Sequence, residues 1–196
     1  PEVLAGHSLG EYSALVAAGA LSFSDCLPLV RLRAQAMQEA VPEGTGAMAA
    51  LLGLEDEQVI EACSEAAQGE VVEAVNFNAP LQVVIAGHLN PVKRAMEIAK
   101  AKGAKRAILL PVSAPFHSSL MGPAAFRLKE ALAKIDVRSP AIPVVHNIDA
   151  RVRTHPDEIR EALFGQADHP VRWTQCMMAM AATGVTHVYE CGPGKV

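Results

Sequence analysis

The chain has 196 residues, 51% of them hydrophobic and 19% charged, with a formal net charge of −4. Those values fit a water-compatible globular chain long enough for one domain with an inserted subdomain. They exclude a helix across a membrane, because no run of about 18 apolar residues occurs, and they give no basic excess for nucleic acid.

From the start, Val3-Leu4-Ala5 could close a buried strand, and Leu9 to Ala18 reads as a helix stopped by Gly19. An amphipathic helix follows from Ser24 to Ala40, with Leu27, Val30, Ala34, Met37 and then Val41 as its apolar stripe. Pro42-Glu43-Gly44 ends it. The rhythm then changes: GAMAALLGL is a strand, DEQVIEACSEAAQG a helix, VVEAVNFN and LQVVIAG strands, PVKRAMEIAKAKG a helix and KRAILLPVS a strand. That order is β-α-β-β-α-β, the ferredoxin-like arrangement, over residues 45–111. Residues 1–44 and 112–196 would form the larger α/β core around it. A helix is predicted from Ser119 to Ile135, a strand at IPVVHNI, helices at Pro156 to Phe164 and Thr174 to Thr183, and a last strand from Thr186 to Cys191. Because Pro1 is no initiator and the first strand begins at residue 3, the chain reads as a fragment at both ends, without a visible signal peptide.

Cys26, Cys63, Cys176 and Cys191 show no C-x-x-C spacing and lie in apolar segments, which points to reduced thiols in a cytoplasmic protein. The seven histidines form no H-E-x-x-H or similar set, so no metal site is expected.

Gly6-His7-Ser8-Leu9-Gly10 fits G-x-S-x-G, in which a strand turns sharply into a helix with the serine at a strained apex. Glycine on either side is expected to relieve crowding and to supply a positive φ. A structural turn serine remains the competing reading. A serine hydroxyl needs a base to take its proton, usually histidine. His7 would point away from such an apex; His88, His155 and His169 read as surface residues, and His146 and His187 as structural ones. His117 lies between a predicted strand and a helix, where α/β folds gather reactive side chains. Helix-entry packing is its alternative.

GHSLGEYSAL, Arg33 within LVRLRAQAMQEA, VSAPFHSSLM, QADHPVRW and YECGPGKV, in that order, resemble malonyl-CoA:acyl carrier protein transacylases over essentially the whole chain. The resemblance implies an α/β-hydrolase-like core with the ferredoxin-like insert. It implies ping-pong transfer of malonyl from malonyl-CoA, the substrate, to the phosphopantetheine thiol of acyl carrier protein, with no cofactor. Ser8 matches the nucleophile and His117 the base. Gln166 lies in the segment whose backbone carbonyl orients that base in place of a carboxylate. The Leu9 N–H matches one oxyanion donor, and the second would come from a glutamine-containing loop upstream of residue 1.

Arg33 alone would read as a snorkelling surface arginine. The resemblance makes it the grip on the malonyl carboxylate, for which a planar guanidinium is suited. Losing one partner of such a desolvated pair costs about 3 to 5 kcal/mol. Phe116, before the histidine, matches a position where phenylalanine accompanies malonyl selectivity. Lys93, Arg94, Lys100, Lys102, Lys105 and Arg106 stand against only Glu97. Such a run is usually a solvated face, and Lys93, Arg94, Lys102, Lys105 and Arg106 are also the candidate docking surface for an acidic carrier protein. Trp173 reads as a core anchor, and Gly194-Lys195 as a turn without the spacing of a phosphate loop. A polyketide synthase acyltransferase domain, a serine esterase and a non-catalytic carrier-binding module remain as alternatives.

Overall fold

The computed structural model describes residues 1–112 and 114–192. It is a mixed α/β fold with one parallel and one antiparallel sheet. The chain enters through strand β1 (Leu4–Ala5), turns at Ser8 and runs into helix α1 (Leu9–Ala17). Gly19, at φ 75°, follows the helix as expected. Helix α2 (Phe23–Glu39) starts one residue early because the Ser22 side chain accepts the Asp25 N–H and caps it.

Four strands form the antiparallel sheet: β2 (Gly46–Leu52), β3 (Val72–Ala79), β4 (Gln82–His88) and β5 (Arg106–Leu109), in spatial order β3-β4-β2-β5. Helix α3 (Asp56–Ala67) joins β2 to β3, and helix α4 (Leu89–Ala101) joins β4 to β5. Period-two alternation divides the side chains. Ala47, Ala49 and Leu51 of β2 with Val83 and Ile85 of β4 pack beneath the helices on Val59, Cys63, Val92, Ala95 and Ala99. Met48, Val75, Val84 and Ala86 form the other face, against Phe116 and Leu110. Gly46 is required here, since a Cβ would run into the Pro115 ring.

The chain then makes a 3₁₀ turn (Ser119–Met121), helix α5 (Gly122–Leu132), strand β6 (Val144–Val145), helix α6 (Pro156–Gln166) and helix α7 (Trp173–Ala182). β6 pairs in parallel with β1 through Leu4↔Val144 and Ala5↔Val145. Tyr12, Leu15, Leu29, Leu128, Val144, Ile159 and Leu163 build the core on one side of this pair; Val145, Cys176 and Met180 lie on the other.

Three expectations need correction. The strand predicted at IPVVHNI is only two residues long, because His146 and Asn147 turn their polar side chains into buried hydrogen bonds with Glu11 and Gly6. Thr186 to Cys191 is not a strand: no described segment pairs with it, and Val188 and Tyr189 are exposed. The buried face of α2 is Cys26, Leu29, Arg33, Ala36 and Met37, while Leu27 and Ala34 are exposed. The apolar stripe was therefore phased about one residue off, because counting only apolar side chains steps around an arginine that is itself buried.

Candidate active site

Ser8 sits at the junction of β1 and α1 with φ 51° and ψ −104°, a conformation that a non-glycine residue rarely holds. The positive φ thus belongs to the serine and not to its glycines. Gly6 is sterically required, since a Cβ there would collide with the Gly10 carbonyl group, whereas Gly10 has open space. Asn147 holds the turn from outside: its Oδ1 accepts the Ser8 N–H at 2.7 Å and its Nδ2 donates to Gly6 O at 2.8 Å.

Ser8 Oγ lies 2.7 Å from His117 Nε2, and His117 Nδ1 lies 2.8 Å from the backbone oxygen of Gln166. A carbonyl can only accept, so Nδ1 carries the proton and Nε2 offers its lone pair to the serine. His117 also has positive φ, 65°, in a segment closed by the Ser118 Oγ bond to Pro115 O and tied to β3 by Glu73, which accepts from Ser119 N and Oγ. Both members of the pair hold sparsely populated backbone conformations, as functional sites often do. Burial, followed by the nearby Arg33 charge, lowers the His117 pKa from 6.5 to about 3, so the imidazole is neutral and its Nε2 lone pair faces the serine hydroxyl.

Arg33 is buried within this pair and not at a surface edge. Its Nη2 donates to Ser8 Oγ at 2.9 Å and to Gln166 Oε1 at 3.0 Å, and its guanidinium carbon is 5.5 Å from the Tyr12 ring centre. Its Nε–H has no partner among the described residues. Arg31 is exposed.

Comparison with known proteins shows which family builds this arrangement. The profile described as acyl transferase domain matches residues 1–193. The chain belongs to that family. Over all 196 residues it is 58% identical to the malonyl CoA-acyl carrier protein transacylase of Escherichia coli (strain K12), covering 63% of that protein, and it is 51% identical to the one of Bacillus subtilis (strain 168), covering 62%. Among solved structures, the acyl-carrier-protein S-malonyltransferase from Burkholderia pseudomallei 1710b superposes with a TM-score of 0.98 at 63% identity, over 100% of this chain and 64% of that one. A type II PKS acyl-carrier protein in complex with its malonyl-transacylase gives a TM-score of 0.93 at 51% identity, over 94% of this chain and 60% of that one. The chain thus spans a little under two thirds of these relatives.

In this acyl transferase domain the N–H of Leu9, at the N-terminus of α1, is taken by no acceptor among the described residues. Beneath the serine lies a polar layer that sequence reasoning passed over. Glu11, fully buried, accepts from His146 Nδ1 at 2.7 Å, from Asn147 N at 2.9 Å and from Gln166 Nε2 at 2.9 Å. Gln166 Nε2 also reaches Ser8 O at 2.9 Å. The available signal was an acid on the buried side of the apolar helix LGEYSALVA.

His7 points away from the serine, donating to Asn78 at 2.7 Å and lying edge-on to Trp173. His88 accepts the Val71 N–H and His155 accepts the Asp157 N–H at the start of α6; His169 bonds Gly165 O and Asp168. His187 is exposed. Phe116 packs between Met121 and the sheet face around Val84. The basic run is less bare than its sequence suggests: Lys102 pairs with Glu61 and Glu65 of α3, Arg94 with Glu70 just after α3, and Lys100 with Glu97 three residues back in α4. Lys93, Lys105 and Arg106 are exposed and outside the ion pairs of the described residues. Gly194 and Lys195 lie outside the described residues. Among the described residues no helix is long and apolar enough to cross a membrane, and no group of His, Cys, Asp or Glu is placed to hold a metal ion.

Proposed function

We propose that this chain carries the acyl-transfer site of a malonyl-CoA:acyl carrier protein transacylase, with Ser8 as nucleophile and His117 as base. The observation that carries the reading is the sharing of Ser8 Oγ between the Nε2 of a neutral histidine and the Arg33 guanidinium. The hydroxyl gives its proton to Nε2 as Oγ bonds to the thioester carbon, and Gln166 O steadies the imidazolium through Nδ1. The oxyanion falls at the Leu9 N–H, where the helix N-terminus favours negative charge. Collapse expels the coenzyme A thiolate, which takes the proton from Nε2. In the second half the phosphopantetheine thiol gives its proton to Nε2, and its sulfur attacks the malonyl ester. The serine then leaves and regains the proton.

Arg33 fits the carboxylate-binding role. The malonyl carboxylate is two bonds from the acyl carbon on Ser8, within reach of a guanidinium already beside Oγ and holding an Nε–H with no partner among the described residues. Phe116, before the base, would fill space beside the α-carbon. A carbonyl and not a carboxylate behind His117 weighs against an esterase triad. The β3-β4-β2-β5 order with α3 and α4 on one face supports reading residues 45–111 as a ferredoxin-like subdomain, and residues 1–44 and 112–196 as an α/β-hydrolase-like core. For an acidic carrier protein, Lys93, Lys105 and Arg106 remain as the available part of the docking surface. A cytoplasmic location, with no cofactor, fits the three buried free thiols and this chemistry.

The test is intact and peptide mass spectrometry of the full-length protein after mixing with malonyl-CoA. One malonyl adduct is expected on the peptide containing Ser8, absent in Ser8→Ala. An unchanged adduct in Ser8→Ala overturns the assignment.

A further inference from the structure

Glu11 has no hydrogen bond to His117 or Arg33, yet both are aimed through it. Its carboxylate can only accept, and it faces the side-chain amide of Gln166. That fixes which way the amide lies: Nε2 toward Glu11 and Ser8 O, leaving Oε1 to receive Arg33 Nη2. The backbone oxygen of the same Gln166 holds the proton of His117 Nδ1. Through its second contact, the N–H of Asn147, the carboxylate also seats the residue whose side chain grips both Gly6 O and Ser8 N. One buried charge therefore orients nucleophile, base and guanidinium together.

We propose that Glu11 is a positioning residue for acyl transfer, acting through the Gln166 amide and Asn147; this rests on the reading of Ser8 and His117 given above. An amide at residue 11 would turn its NH₂ toward a donor it must now repel. With that NH₂ on the side of Asn147 and Gln166, the Gln166 amide would flip and the guanidinium would lose its acceptor; with it on the side of His146 Nδ1, the imidazole proton can move to Nε2, which has no partner among the described residues, and the strain is eased. Asp at residue 11 keeps the charge but withdraws it by one C–C bond, about 1.5 Å, out of reach of Gln166 or Asn147.

The experiment uses the full-length protein with malonyl-CoA. It measures single-turnover acylation of Ser8 by mass spectrometry and steady-state kcat and KM, each normalised to the folded fraction from near-ultraviolet circular dichroism. For Glu11→Asp, kcat should fall by about a hundredfold, and KM for malonyl-CoA should rise because the guanidinium that grips the carboxylate is misaimed with the other groups; a mere loss of folded protein would leave KM where it was. Glu11→Asp keeps the buried charge and should stay folded, so it decides the matter; Glu11→Gln should lose less, because His146 can turn its Nδ1 lone pair to the new amide. Glu11→Asp acylating as fast as the parent per folded molecule overturns the proposal while leaving Ser8 and His117 in place. Failure of the parent itself to form the adduct on Ser8 removes the acyl-transfer reading, and this proposal with it.

Discussion

In the sheet β3-β4-β2-β5, strands of four to eight residues pair over most of their length above a core of alanine, valine, isoleucine and leucine. The β1–β6 pair joins two residues to two, and the buried side chains around it include Glu11, Arg33, His117, Ser118, His146, Asn147 and Gln166. Among the described residues only one buried polar side chain, Asn76, belongs to the four-stranded sheet. The first region is held by area removed from water and by ladder hydrogen bonds. The second is held by directional contacts between groups whose desolvation is costly unless every partner is present. Damage to the first should therefore lower stability and spare the chemistry, and damage to the second should cost the chemistry even in the molecules that stay folded.

The largest effect is expected at Arg33. Arg33→Ala leaves a malonyl carboxylate without a partner in a dry cleft, whereas an acetyl group never used that contact. The ratio of kcat/KM for malonyl-CoA over acetyl-CoA should fall by about a hundredfold or more, with Ser8 still acylated by acetyl-CoA. If the parent ratio is retained, the carboxylate anchor lies elsewhere, with Arg31 the first candidate.

Ile85→Ala probes the other side of the comparison. Ile85 is fully buried under α3 and α4, so a cavity there should cost about 2 to 5 kcal/mol of stability, read from denaturant unfolding. Acylation per folded molecule should be unchanged. A loss of acylation in the folded fraction would show that the two regions are not separable.

A smaller effect is expected from acid. With its folded pKa near 3 and its ordinary value 6.5, His117 resists protonation in the folded state. Above pH 6.5 its contribution is fully present; as pH falls from there toward 3, the unfolded chain binds a proton that the folded chain refuses, and stability declines. His7, lowered by burial against the opposing bond to Asn78, acts in the same direction. His117→Asn, chosen because asparagine tolerates positive φ, should flatten the pH dependence of unfolding between those values, leaving the His7 part. An unchanged slope would place the acid sensitivity elsewhere.

The smallest is expected at the surface. Reversing Lys105 and Arg106 to glutamate should raise KM for acyl carrier protein, less so as salt increases, without altering acylation from malonyl-CoA. Equal effects on both half-reactions would remove this face as the docking surface.

The sequence carried the order of the regular region and most of its bounds to within about two residues, because period-two and helical patterns are local; the exception is the strand expected over KRAILLPVS, which runs only from Arg106 to Leu109. A motif for Ser8, position for His117 and the family resemblance for Arg33 and Gln166 made these residues candidates, and the structure brings the four together, but their geometry was not legible in the sequence. The bonds that decide the site link residues 109 positions apart for Ser8 and His117, and 136 apart for Glu11 and Asn147. No window of sequence contains both ends. Arg33 shows the same limit: an apolar count placed it beside the buried stripe of α2, and its partners, Gln166 and Ser8, place it within. Thr186 to Cys191 has the alternation of a strand and lacks, among the described residues, a neighbour to pair with.

The oxygen that holds His117 belongs to the last residue of α6. A helix ends with carbonyls left over, and one more turn would hand this one to the N–H four residues on. Residue 170 is proline and has none to give. The stop that keeps α6 from growing is therefore also what reserves an acceptor for the imidazole: helix length here sets which nitrogen of His117 holds the proton, written as a single missing hydrogen.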